Sequence, residues 1–338
     1  MKSASPAADS KISVSVHFVR AVLKHARERH VDPQELLRAY RIPPRLLTEP
    51  QARISVQQFA DFQTGVMRAM GDETLGYARR PMPLGSWDMM CHAVITCGTL
   101  GQALHRYCRF FALMDGGVPA HMSLEGDEVG LHLDESTSER GAYFAELCLL
   151  NTHRFACWLV QEEIPLQGVS FTHPRSARAG DYRLMFVGNP VAFEAPRSEL
   201  RFGASLMEKA VSQTPETLRR YLRHPMRVML TTSYAFSWTA QVREQLRRNL
   251  GHLPELTDVA ASLDLHPQTL RRRLAAEGST FKQIKSDIRR DTALHFLSKR
   301  TLSVEEVAHR SGFSEASAFI RAFKTWTGLT PYAYRKGL

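Results

Sequence analysis

An α+β N-terminal domain, helices with antiparallel hairpins, followed by an all-α domain with two helix-turn-helix units, is the fold class that this 338-residue chain predicts. Three observations carry it. Apolar residues recur at helical spacing through most of the N-terminal half, but change to two-residue alternation between Met122 and Leu133. Beyond Pro215 every apolar pattern is helical. In the C-terminal third, one short pattern of two helices joined by a tight turn occurs twice.

The elements follow in order. Val16, Val19, Val22 and Leu23 mark a first helix, and Asp32-Pro33 opens a second, which Pro43-Pro44 breaks. Ser55 precedes Val56, Phe59, Phe62, Val66 and Met70, a helical face ending near Gly71. A longer helix is expected from about Asp88 to Met114, stopped by Asp115-Gly116-Gly117. Met122 and Leu124, the turn Glu125-Gly126-Asp127, and Val129, Leu131 and Leu133 then read as a hairpin. Residues 140–162 return to helix, whereas Val169–Phe171 and Leu184–Phe186 read as strands. A basic helix is expected from Pro215 to about Arg227. The Thr/Ser-rich stretch around Thr231, Thr232, Ser233 and Ser237 suits a linker. The expected organisation is a disordered tail over 1–14, a domain over 15–228, a linker over 229–238 and a helical domain over 239–338.

Composition narrows the class. With 43% hydrophobic and 23% charged residues, the chain can bury real cores. Its longest apolar stretches, such as Ala145–Leu150 with Glu146 inside, fall far short of the ~20 residues that span a bilayer. Met1–Ser10 has no apolar core and does not read as a signal peptide. The five cysteines are an odd number without a C-x-x-C pair, which points to reduced, mostly buried thiols and a cytoplasmic location, with no metal. Charge is uneven: from Thr239 onward 17 Lys and Arg face 10 Asp and Glu, against 27 and 24 before it. Most of the positive excess therefore sits in the helical domain, which favours a polyanionic partner.

In the repeated pattern, Val259-Ala260 precedes Leu263, Leu265, Leu270 and Leu274, and Val307-Ala308 precedes Ser311, Phe313, Phe319 and Phe323. Ser303 and Glu306 form a capping box, Ser314 is placed to cap the second helix of the second copy, and Pro267 suits the first turn of its counterpart. Phe281, Ile284, Ile288, Ala293 and Leu297 mark a long connecting helix. In such a unit the second helix enters the major groove of DNA and its outward side chains meet base edges. With Leu270, Leu274, Phe319 and Phe323 inward, the outward candidates are Gln268, Arg271, Arg272, Ser317 and Arg321. Against this stands the plainer reading that Arg271-Arg272-Arg273 is a solvated or phosphate-binding face.

Residues 246–338 resemble the DNA-binding domain of the AraC/XylS family of transcription regulators. Gly312-Phe313-Ser314, Phe319, Arg321-Ala322-Phe323-Lys324, Trp326, Gly328, Pro331, Tyr334 and Arg335 match its C-terminal signature. Leu270-Arg271-Arg272-Arg273-Leu274, Glu277-Gly278 and Phe281 match its first recognition helix and the following turn. His266 departs from the pattern, standing where Ser or Thr commonly caps that helix. The resemblance implies double-stranded promoter DNA and RNA polymerase as partners, with Lys324 added to the DNA-binding candidates, and a homodimer. Activation is the commoner behaviour of the family.

The N-terminal domain carries no G-x-S-x-G, no Gly-rich phosphate loop and no H-E-x-x-H, and its histidines show no repeated ligand spacing. Alkyl-transferase fusions need a reactive P-C-H-type cysteine, which is absent. No enzyme activity and no cofactor are expected. Thr99-Leu100-Gly101-Gln102-Ala103-Leu104, Phe171-x-His173-Pro174, Tyr182, Pro190-Val191-Ala192-Phe193 and Leu200-x-Phe202, with Arg53-Ile54-Ser55, resemble the α+β effector domain of the ornithine-utilisation-regulator branch of the same family. That resemblance implies a small-molecule effector and a fold other than the β-barrel of the arabinose regulator. Trp87, Tyr107, Phe144 and Trp158 are candidates to line an apolar effector site, with Arg109 or Arg154 pairing a carboxylate at its edge. Core packing is the competing reading for the four aromatics. The rival functions are a constitutive DNA-binding protein whose N-terminal domain only dimerises, and an enzyme fused to a DNA-binding domain.

Overall fold

The chain is described by a computed structural model covering residues 13–115, 120–134, 141–175, 182, 185–186, 189, 191–231, 238–249, 253–277, 279–297 and 302–336. It begins with β1 (Ser13–Ser15), α1 (Val16–Leu23), α2 (Pro33–Ala39), β2 (Arg53–Ser55) and α3 (Val56–Met70). Then come α4 (Ser86–Val94), α5 (Leu100–Ala112), β3 (Ala120–Glu125), β4 (Glu128–Leu133) and α6 (Ala142–Val160). β5 (Leu166–Ser170), β6 (Val191–Ala192), β7 (Glu199–Gly203), α7 (Pro215–Leu222) and α8 (Pro225–Thr231) complete the N-terminal two thirds.

The chain packs as two compact units. One holds residues 22–32 and 64–229; the other holds the described residues of 13–21, 33–63 and from 230 onward. The first sixty residues thus largely share a unit with the C-terminal helices. A boundary at 229–238 does not anticipate that partition.

In the unit of residues 64–229, five strands form a sheet in the order β3-β4-β7-β5-β6, antiparallel except for the β5–β6 pair. The hairpin read from alternation is present, with His121 opposite His132 and Leu124 opposite Val129. Val129, Leu131, Leu133, Leu200, Phe202 and Val169 share one buried face, over which α5 and α6 pack. Burial of that face stabilises the unit by about 25 cal/mol per Å² of apolar surface.

Several sequence expectations are corrected. The helix expected from Asp88 to Met114 is two helices, because Gly98 interrupts it and the Thr99 hydroxyl caps α5 by accepting from the Gln102 N–H at 3.3 Å. Leu184–Phe186 is not a strand: the Phe186 N–H donates to the Tyr182 carbonyl at 2.9 Å, a helical turn, while Leu184 lies outside the described residues. Tyr182 and Phe186 sit four apart and both rings meet Phe171, a spacing that the short apolar run concealed. The basic helix from Pro215 is divided at Pro225 into α7 and α8. Ser13 and Val14, read as tail, belong to β1 and pair with Ser55 and Ile54. Of the linker stretch, Thr231 closes α8, whereas Thr232, Ser233 and Ser237 lie outside the described residues.

Candidate nucleic-acid interface

The C-terminal part of the second unit holds α9 (Trp238–Arg248), α10 (Leu256–Ser262), α11 (Pro267–Ala276), α12 (Phe281–Leu297), α13 (Val304–Arg310), α14 (Ala316–Thr327) and α15 (Pro331–Lys336). Leu256, Val259, Ala260, Leu270, Leu274, Ile284 and Ile288 form one core around α10 and α11. Val304, Val307, Ala308, Phe319 and Phe323 are the buried counterparts on α13 and α14. The connecting helix occupies the 17 residues expected of it.

The two turns repeat one hydrogen-bond pattern. Leu263 and Leu265 donate to the Ala260 carbonyl and Asp264 to that of Ala261; Ser311 and Phe313 donate to Ala308 and Gly312 to His309. Each turn needs one residue with positive φ, supplied by Asp264 at 54° and Gly312 at 80°. Glycine tolerates that conformation without steric cost, and Asp is among the few other residues that visit it. Caps then set the helix starts. The His266 ring Nδ1 accepts from the Gln268 N–H at 3.3 Å, so the histidine does the work of the Ser or Thr of the family pattern. Ser314 does not cap α14: Glu315 occupies the cap position, its carboxylate accepting from no backbone N–H of the first turn but from the Ser317 hydroxyl at 3.2 Å. Ser303 and Glu306 make the expected capping box on α13.

Aligning the caps His266 and Glu315 gives an offset of 49 residues between the recognition helices. Leu270 then corresponds to Phe319 and Leu274 to Phe323, all buried. On the outer face, Gln268 corresponds to Ser317 and Arg272 to Arg321, and all four are exposed. Arg271 is exposed as well and its Nη1 donates to Gln268 Oε1 at 3.4 Å. Lys324 is exposed one turn beyond Arg321. Arg272, Arg321 and Lys324 make no ion pair among the described residues.

Three other arginines of the region are engaged within the fold. Arg273 turns back, its guanidinium 4.1 Å from the ring centre of Trp238. Glu277, next on that face, accepts from the Trp238 and Thr239 N–H groups at 2.7 and 2.8 Å and so caps α9. Arg243 and Arg290 are largely buried against Asp287 at 3.0 Å each, and Arg290 also meets Asp291 at 3.2 Å. The sequence left the roles of Glu277, Asp287 and Asp291 unread; their partners lie 38 or more residues away, or on neighbouring turns whose burial only the fold reveals. What remains on the outside of the two recognition helices is an uncompensated positive face.

The effector candidates divide. Trp87, Tyr107 and Trp158 belong to one aromatic cluster with Phe111, Phe155 and Tyr221. Three of its polar groups are paired: the Trp87 indole donates to the Tyr221 hydroxyl at 3.2 Å, and the Tyr107 hydroxyl bonds that of Thr152 at 2.8 Å. Burial pushes the Tyr107 phenol far up, so it stays neutral. Phe144 is not brought to that cluster; it stacks on Tyr77 at 5.7 Å. Arg109 is exposed, and Arg154 donates to the Met185 carbonyl at 3.2 Å. Of the cysteines, Cys91, Cys97 and Cys157 are buried, and burial holds the Cys108 and Cys157 thiols up at about 11. Among the described residues no cluster of His, Cys, Asp or Glu has the makings of a metal site, and no helix is long and apolar enough to cross a membrane.

Comparison with known proteins places these observations. Residues 31–211 match the family model for the arabinose-binding domain of AraC transcription regulator, N-terminal part, and residues 259–337 match a helix-turn-helix domain model. The chain is 27% identical over 327 residues to the Ornithine utilization regulator of Pseudomonas aeruginosa, covering 96% of both. It is 28% identical over 341 residues to an uncharacterized HTH-type transcriptional regulator of Mycobacterium tuberculosis, covering 95% of this chain and 96% of that one. Among solved structures, the transcriptional regulator CdpR of Pseudomonas aeruginosa aligns with 94% of this chain and 98% of its own, at 19% identity and a TM-score of 0.33. An effector-type α+β domain joined to a duplicated helix-turn-helix, both matched by family models, makes this chain a member of the AraC family of DNA-binding transcription regulators.

Proposed function

We propose that the chain is an effector-controlled transcription activator that reads promoter DNA with both recognition helices. The observation that carries this reading is the equivalence of Arg272 and Arg321, one exposed arginine at the same place on each helix. An arginine there hydrogen-bonds guanine bidentately, and Gln268 on the same face has the donor and acceptor pair that suits adenine. Arg271, Ser317 and Lys324 complete the DNA-facing set as base or phosphate contacts. The charge excess of the region adds a salt-dependent, sequence-independent attraction.

The effector is a small molecule held by the N-terminal domain, in keeping with the name of the Pseudomonas relative. Trp87, Tyr107, Trp158 and Phe144 are the aromatic residues proposed to line its site, with Arg109 or Arg154 to pair a carboxylate at the edge. The effector acts through its differential affinity for two arrangements of the protein. The chain works in the cytoplasm as a homodimer that engages RNA polymerase, and no catalytic step or cofactor is assigned to it.

The test is to map the bound promoter and measure binding of the full chain to it and to random DNA over a range of salt. A thermal-shift screen with small metabolites tests the sensor. The expected result is a specific site whose affinity falls steeply with salt, and stabilisation by one metabolite class. Equal affinity for random DNA would overturn sequence-specific reading; no stabilising metabolite would favour a constitutive binder.

A further inference from the structure

The outer edge of β3 pairs with no strand among the described residues, because β3 ends the sheet. An open edge is a template for another strand, and proteins blunt it with lysine, proline or a bulge. β3 has none of these: its sequence is Ala-His-Met-Ser-Leu-Glu, and its register with β4 is unbroken over six pairs. Much of the strand beyond the α5 contact is open to solvent. His121 and Glu125 are exposed, and Leu124 is 68% exposed although its face is the apolar one. Leu113, 79% exposed, follows the helix α5 that packs on this same strand.

The strand is complementary to itself. Laid antiparallel on a second copy with Ser123 on the two-fold axis, His121 faces Glu125 of the other copy and Met122 faces Leu124. The polar pair falls on one face of the extended sheet and the apolar pair on the other, since side chains alternate along a strand. A two-fold axis produces each pair twice, as an isologous interface requires. Other registers of the same segment lose this match; a shift by one residue puts the imidazole against an apolar neighbour.

We propose that β3 joins β3 of a second copy, centred on Ser123, to make one continuous ten-stranded sheet through the dimer. This gives a surface to the self-association proposed above and rests on it. The apolar strip of Met122 and Leu124 is buried by its symmetry mate, and the carboxylate of Glu125 accepts from the His121 ring.

The experiment is sedimentation equilibrium on the full chain, its H121E and E125K variants and the H121E/E125K double variant, with circular dichroism and melting temperature as checks on folding. Both positions are exposed, so each variant is expected to fold. H121E sets two carboxylates against each other at two symmetric places, and E125K replaces the acceptor of the His121 ring with an ammonium; each weakens dimerisation about tenfold, whereas the double variant places lysine against glutamate and restores it. A wild-type chain that stays monomeric would overturn self-association itself. A wild-type dimer whose strength is unchanged in the single variants, or not restored in the double variant, would overturn this surface alone.

Discussion

The hydroxyl of Ser13 donates to Oδ1 of Asp291 at 2.6 Å, tying the first strand of the chain to the helix that separates the two helix-turn-helix units. Arg53 on β2 closes the arrangement, donating through Nε to the Ser13 hydroxyl at 2.8 Å and through Nη2 to its carbonyl at 2.9 Å. The small β1–β2 sheet therefore sits on α12 as part of the same compact unit. Glu49 approaches Gly328 so closely that a Cβ there would lie 2.6 Å from its carboxylate. Gly328 also ends α14 with φ of 77°, a second reason for glycine at that position.

Asp291 is the most consequential residue of this junction, since it is buried and also meets Arg290. Asp291→Ala removes the acceptor of the Ser13 hydroxyl and one of the two carboxylates beside the buried Arg290, leaving Asp287, and is expected to cost about 2–4 kcal/mol. Ser13→Ala removes one hydrogen bond and should cost about 1–2 kcal/mol, since its partner is a charged group. Urea unfolding of the full chain, followed by far-UV circular dichroism, measures both. Equal small losses would mean that the junction is solvated.

A fragment beginning near Phe236 contains both recognition helices but lacks β1, β2 and α2. It is expected to fold with lower stability than the same unit in the full chain, because the surface that Ser13 and Arg53 cover becomes exposed. A fragment melting at or above the temperature of the full chain's corresponding transition would contradict this.

Arg271 and Arg273 separate two roles within one run of arginines. Arg273→Ala removes the contact with Trp238 and should lower stability by about 1 kcal/mol while leaving base preference unchanged. Arg271→Ala should leave stability nearly unchanged and weaken DNA binding. Unfolding curves paired with competition binding on specific and random DNA distinguish them; an exchange of the two behaviours would mean that the packing assignment is reversed.

His153 makes the effector unit sensitive to acid. Its Nε2–H donates to the Ile164 carbonyl at 2.8 Å, and Nδ1 is buried without a partner. Burial, aided by Arg154, holds the ring down at about 4, with the Ile164 bond opposing. The unfolded chain therefore takes up the proton first, near pH 6.5, so stability present above that pH is lost as pH falls through 6.5 toward 4. The contribution is up to about 3 kcal/mol. Stability measured against pH should decline in that window, and less so in His153→Gln; an identical decline in the variant would assign it to other groups.

How much of this was legible in the sequence depends on the range of the contact. Local signals carried the helix-turn-helix: the four-residue spacing of Leu270 and Leu274, the Ser303–Glu306 box, and Gly312 at the turn all act within a few residues. The outward positions of Gln268, Arg272 and Arg321 followed from that spacing. The attachment of β1 to α12 had no such signal, because Ser13 and Asp291 are 278 positions apart and each is an ordinary polar residue. The division of the expected Asp88–Met114 helix at Gly98 was visible in Gly98-Thr99, a break followed by a cap, but the apolar period on either side concealed it. Phe144 shows the same limit, since its aromatic type could not say which of two clusters it joins.

On the function proposed above, the two recognition helices read DNA as one rigid pair, each through its equivalent arginine. The connecting helix of 17 residues is ~25 Å long, which with its flanking turns approaches the ~34 Å between successive major grooves on one side of the duplex. The most direct measurement is binding-site selection from randomised DNA by the wild-type chain, Arg272→Ala and Arg321→Ala. Each variant should lose preference in its own half of the site, at a cost of about 1–3 kcal/mol on the wild-type sequence, and keep it in the other half. Five base pairs inserted between the halves should abolish specific binding. Unchanged selected sequences in both variants, with affinity lost equally on specific and random DNA, would make the two arginines phosphate contacts and contradict the account.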